Sequence, residues 1–103
     1  MKNYNVIFSP LFIQMLENEL RNCITFSSSY AKKTEKVVFD SIKLLQQFPF
    51  IASIIKFPNL KGNYRKFIIQ KRYLIIFRIF NSSIHLDYFI DGRQAQENYF
   101  KIP

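Results

Sequence analysis

Acidic residues are scarce in this chain and unevenly placed. Seven Asp and Glu stand against fifteen Lys and Arg, a net charge of +8, and no acid occurs between Ser41 and Leu86. That acid-free stretch holds eight bases, Lys43, Lys56, Lys61, Arg65, Lys66, Lys71, Arg72 and Arg78. A basic half lacking countercharge attracts polyanions by phosphate neutralisation and counterion release. It points to nucleic acid or an acidic protein as partner and leaves the choice between them open. Cysteine is nearly absent: Cys23 is alone, which excludes an intrachain disulfide and a Cys-based zinc site. A reducing, cytoplasmic setting fits that usage. With two glycines in all, a Gly-rich nucleotide cradle is excluded. No run approaches the ~18 apolar residues of a transmembrane helix, and MKNYNVIFSP lacks the continuous apolar core of a signal peptide.

What is present describes one domain over residues 1–103, 49% hydrophobic, without repeats or a low-complexity linker. Tyr4, Val6 and Phe8 alternate as in a short strand. Ser9 is a good N-cap, and Pro10 suits the first helical position because its missing N–H is not needed there. Leu11, Phe12, Met15, Leu16 and Leu20 follow at helical spacing. Ser27-Ser28-Ser29 breaks this helix, and Val38, Ile42, Leu45 and Phe48 continue a second one from Ala31 to Phe48, stopped by Pro49. About five residues between the helices predict an antiparallel hairpin. Residues 49 to 63 are apolar but irregular, with room for a turn of helix. Three strands are expected at Tyr64–Ile69, Tyr73–Phe80 and Ile84–Ile90, joined by short turns at Gln70-Lys71-Arg72 and Asn81-Ser82-Ser83. The order βααβββ predicts an α+β, two-layer domain, with helices covering one face of an antiparallel meander and the other face left for solvent or a ligand.

In this order the motifs resemble the RelE/ParE superfamily of toxins from bacterial type II toxin–antitoxin pairs. Tyr4, Val6, Phe8, Ser9 and Pro10 resemble the family's first strand and helix start. Leu45, Phe48 and Pro49 are similar to the end of its second helix. Tyr64-Arg65 and Tyr73 to Ile79 resemble its second and third strands, and Asp91-Gly92-Arg93 stands near the family's basic segment after the fourth strand. The resemblance implies a toxin without metal or cofactor, neutralised by a small acidic antitoxin. It also implies one of two activities: ribosome-dependent cleavage of mRNA, or inhibition of DNA gyrase by a ParE-like member without a catalytic site. A degenerate member that only binds RNA or protein is a third reading.

For the ribonuclease, the first of these expectations, the resemblance implies that Arg65, Arg78 and Arg93 hold the phosphate, that Tyr99 assists, and that Lys61, Lys66, Lys71 and Arg72 join Arg65 and Arg93 in nucleic-acid contact. Electrostatic stabilisation of developing charge would be the main catalytic term, with the ribosome positioning the substrate. Phe67 and Leu74 stand where the family has a lysine and an arginine. His85, the only histidine, has the chemistry of a general acid or base; alternation puts it on a face with Asp87 and Phe89, where pairing with Asp87 is the plainer reading. Tyr64, Tyr73 and Tyr88 are able to stack on bases. Glu17, Glu19, Glu35 and Asp40 read as solvated helix charges or partners of lysines at helical spacing.

Overall fold

The computed structural model describes residues 3–56 and 62–92. Lys61, Arg93 and Tyr99, three of the expected site residues, lie outside them. Five strands, two helices and a short 3-10 turn follow in the order β1 (Asn5–Phe8), α1 (Pro10–Phe26), α2 (Ser28–Gln47), the turn (Pro49–Ile51), β2 (Ser53–Ile55), β3 (Tyr64–Ile69), β4 (Tyr73–Phe80) and β5 (Ser83–Asp91). The expected α+β plan is present: a first strand, two helices, then an antiparallel three-strand meander in one sheet.

Ser9 caps α1 as its position predicts, its hydroxyl accepting from Phe12 N at 3.0 Å, with Pro10 next in line. The same hydroxyl donates to the Asp87 carbonyl at 3.0 Å, and Ser9 N donates to Leu86 O at 3.0 Å. One residue therefore ties the start of α1 to the middle of β5. The break between the helices is shorter than expected. Ser27 alone separates them and caps α2 through Tyr30 N at 2.9 Å, so Ser28, Ser29 and Tyr30 are helical.

The sheet order is β1-β5-β4-β3-β2, with β1 parallel to β5 and every other pair antiparallel. β2 is the element that the sequence reading lacks. Three residues are too few to display a period, and they become a strand by pairing with Lys66, Arg65 and Tyr64 of β3. The β3–β4 turn puts Gln70 and Lys71 at φ 54° and 56°, the left-handed backbone that a tight hairpin needs and that glycine usually supplies.

The two sheet faces differ. Phe12, Leu16, Val38, Ile42 and Leu45 of the helices pack on Ile69, Tyr73, Ile75, Phe77, Ile84, Leu86 and Phe89 in the main core. On the opposite, distal face Tyr64, Leu74, Ile76 and Ile90 form a second, small cluster, itself buried, with Met15 of α1, Ile55 and Tyr88 against it. Among the described residues no helix is long and apolar enough to cross a membrane.

Candidate functional site

The distal face is built by register. Side chains alternate along a strand, so cross-strand partners share a face. Lys66, Ile76 and Tyr88 form one row across β3, β4 and β5; Ile68, Leu74 and Ile90 form the next. Arg78 and His85 are partners, and Ile7 of β1 continues their row. Between Ile76 and Phe77 the partner on β5 shifts from Tyr88 to Leu86, which leaves Asp87 as an extra, unpaired residue. This is a β-bulge, a device that re-aims a side chain.

The bulge corrects the expected faces of β5. Before it, Ile84 and Leu86 point to the helices; after it, Phe89 does. His85 thus does not share a face with Phe89, as unbroken alternation required. Nor does His85 take Asp87 as its partner. The Asp87 carboxylate accepts two hydrogen bonds from Arg78, at 2.6 Å from Nε and 3.1 Å from Nη2. His85 packs edge-on against the Phe80 ring, centroids 4.8 Å apart. Arg78 lies over two rings, Tyr64 at 5.4 Å and Phe80 at 5.2 Å. The hydrogen bonds to Asp87 hold its guanidinium pKa further up. The Tyr88 hydroxyl is also raised, by burial first and then by Tyr64 and Asp87.

Of the expected phosphate residues, the two described ones, Arg65 and Arg78, lie on opposite faces of the sheet. Arg65 pairs with Phe77, on the helix-facing side of the sheet, while Arg78 is on the distal side. Arg65 donates from Nη1 to the Ala52 carbonyl at 2.8 Å and lies 5.0 Å from the Phe50 ring centroid. It braces the turn before β2. Lys66 is on the distal face one row from Arg78, and Lys71 is exposed at the β3–β4 turn.

Arg72 is committed elsewhere. Its Nη2 meets Glu19 Oε2 at 3.2 Å and Asp91 Oδ2 at 3.5 Å, and its Nη1 donates to the Tyr30 hydroxyl at 2.5 Å. Its Nε is buried with no hydrogen-bond partner among the described residues. Two carboxylates already meet this cation, so it offers no free charge to a phosphate. Glu19 Oε2 also accepts from the Tyr73 hydroxyl at 2.7 Å. Glu19 is therefore no solvated helix charge. The signal was available in its spacing: Phe12, Leu16, Glu19 and Cys23 make one 4-3-4 stripe, and the other three are buried.

Burial first, and the bond to Glu19 second, push the Tyr73 hydroxyl well above its ordinary 10.0. A raised folded value means that the contribution to stability is whole below the unfolded pKa and is lost as pH rises through the folded one. Wild-type melting temperature should therefore fall more steeply between pH ~10 and ~11.5 than that of Tyr73→Phe, measured by circular dichroism. Parallel curves for the two proteins would contradict this assignment.

Among the described residues no group of three or more His, Cys, Asp or Glu is placed to hold a metal ion. The arrangement can do something else: it presents exposed Phe80 and half-buried Tyr88 beside a neutralised arginine, over the buried Tyr64, Leu74, Ile76 and Ile90. No protein-family model matches the sequence, and no curated protein does. The backbone does match a solved structure, a chain of the chromosomal ParDE TA system from P. aeruginosa, at TM-score 0.70 over 85% of this chain and 95% of that one. The fold is ParE-like. Sequence identity over this match is 13%, so the likeness is one of architecture: the same sheet and helices carry different side chains.

Proposed function

We propose that this chain is the toxin of a toxin–antitoxin pair and that it acts by binding its target, as a ParE-like inhibitor of DNA gyrase, rather than by cutting RNA. The observation that carries the reading is the distal face. Ile7, Ile68 and Phe80 are its exposed apolar residues, Arg78 is neutralised by Asp87, and Arg65 is turned to the other side. Exposed apolar side chains beside a paired charge suit a protein partner. A phosphate-cleaving site needs cationic donors converging on one point, and the described residues supply no such convergence.

The antitoxin finds support on the helices. An apolar groove of about 310 Å³ is lined by Phe8, Ile13, Leu16, Leu20 and Phe39, with Glu17 and Glu35 at its sides. Ile24, which shares a neighbouring depression with Leu20 and Glu35, is exposed as well. Apolar surface of this kind marks a docking site, and an amphipathic segment folding on binding fits a groove between helices. Its acidic remainder would offset the +8 charge.

A ribosome-dependent mRNA endonuclease is the second reading. It is favoured by the Arg78–His85 partnership with Lys66 and Tyr88 on the same face, and it would draw on Arg93 and Tyr99. In either case the chain induced alone should arrest growth, and co-induction of a small acidic protein from the adjoining gene should restore it. Unchanged growth, with the chain folded and soluble in the lysate, would overturn the toxin assignment.

A further inference from the structure

We propose that Asp87 is a specificity-determining residue: it closes the distal face to nucleic-acid backbone and reserves that face for a protein partner. This rests on the reading of the distal face as the target-binding surface. The face otherwise has the ingredients of a sheet that binds single-stranded nucleic acid. Exposed Phe80 and half-buried Tyr88 offer rings for stacking, and Lys66 and Arg78 offer positive charge. A chain of net charge +8 with such a platform would be expected to collect RNA indiscriminately.

Asp87 prevents this by geometry. Its carboxylate occupies Nε and Nη2 of Arg78, the two-donor edge with which a guanidinium grips a phosphate. A phosphate approaching that edge must expel a carboxylate and then sit beside it. The carboxylate has little freedom to leave. Its side chain is 13% exposed, the bulge aims it at Arg78, and the backbone on either side is held by Ser9 through the Asp87 and Leu86 carbonyls. Arg78 in turn is pinned over Tyr64 and Phe80. The pair therefore offers a protein partner a neutral, ordered surface and denies polyanions a free fork.

The test uses the purified full chain and a short fluorescent single-stranded oligoribonucleotide, with binding read by anisotropy across a salt series. Asp87→Asn keeps the side-chain shape and removes the charge. It should tighten binding by about tenfold at low salt and steepen the log K against log salt slope by about 0.7, one more single-strand phosphate contact. Asp40→Asn makes the same change of net charge on α2, where Asp40 only pairs with Lys36 at the surface, and should change affinity less than about twofold. Equal effects of the two substitutions, or none from Asp87→Asn, would overturn the proposal. Should Asp87→Asn fail to fold, the double variant Asp87→Asn/Arg78→Gln, which removes both charges and keeps the net charge, decides: the proposal expects RNA affinity within about twofold of wild type, and a loss of several-fold overturns it. None of these readings depends on toxicity, so failure here is distinct from failure of the toxin assignment.

Discussion

Replacing Glu19 with alanine should remove about 3–5 kcal/mol of stability, the loss typical of breaking a buried ion pair from one side. The Glu19 side chain is 13% exposed and serves three donors through one oxygen, the Arg72 guanidinium, the Tyr73 hydroxyl and, at 3.9 Å, the Cys23 thiol. Alanine leaves the Tyr73 hydroxyl without this acceptor and Arg72 with one carboxylate fewer. A domain of this size has about 5–15 kcal/mol in total, so the variant should be near the edge of folding at 37 °C. Glu19→Gln retains an acceptor without the charge and should lose less, about 1–2 kcal/mol. Urea unfolding of the three proteins measures both. Equal loss from Gln and Ala would mean that the charge alone matters; no loss from Ala would mean that the cluster contributes nothing.

Phe12→Ala should be comparably severe, about 3–5 kcal/mol, for a different reason. Phe12 is fully buried and sits in a chain of rings that crosses the domain. Phe8 of β1 and Phe89 of β5 each lie 5.9 Å from it, and Phe89 stacks on Tyr73 of β4 at 5.1 Å. Alanine would leave a cavity where α1 meets the sheet, the contact that sets the helices on it. Phe26→Ala is the control from the same helix: that ring is 82% exposed, and its loss should fall within about 0.5 kcal/mol of wild type. Thermal melts separate the two outcomes, because each kcal/mol shifts a domain of this size by about 4–8 °C.

The fold was legible because its signals are local. Ser9-Pro10 marks a helix start by capping chemistry alone, and β5 alternates in burial up to its bulge, whereas the first five residues of β4 are all buried because both of its faces are covered. The three-residue β2 was not legible, since only its pairing with β3 defines it. The site was legible in part. The acid-free stretch suggested a broad cationic surface. Two of its arginines are met from outside the stretch: Glu19 of α1 and Asp91 of β5 reach Arg72, and Asp87 of β5 reaches Arg78. Sequence distance hides these pairs, because Glu19 and Arg72 meet only once α1 lies on the sheet. The bulge at Asp87 was equally invisible. One unpaired residue reverses the alternation of everything after it, and this is why His85 and Tyr88, three positions apart, lie on one face.

Induction of the chain in cells, with labelled methionine and thymidine incorporation followed in parallel, tests the central claim most directly. Inhibition by binding gyrase predicts that thymidine incorporation collapses while methionine incorporation continues through the first minutes. Methionine incorporation collapsing first would contradict it and would move the weight of the account to Arg78, His85, Arg93 and Tyr99 as ribonuclease residues.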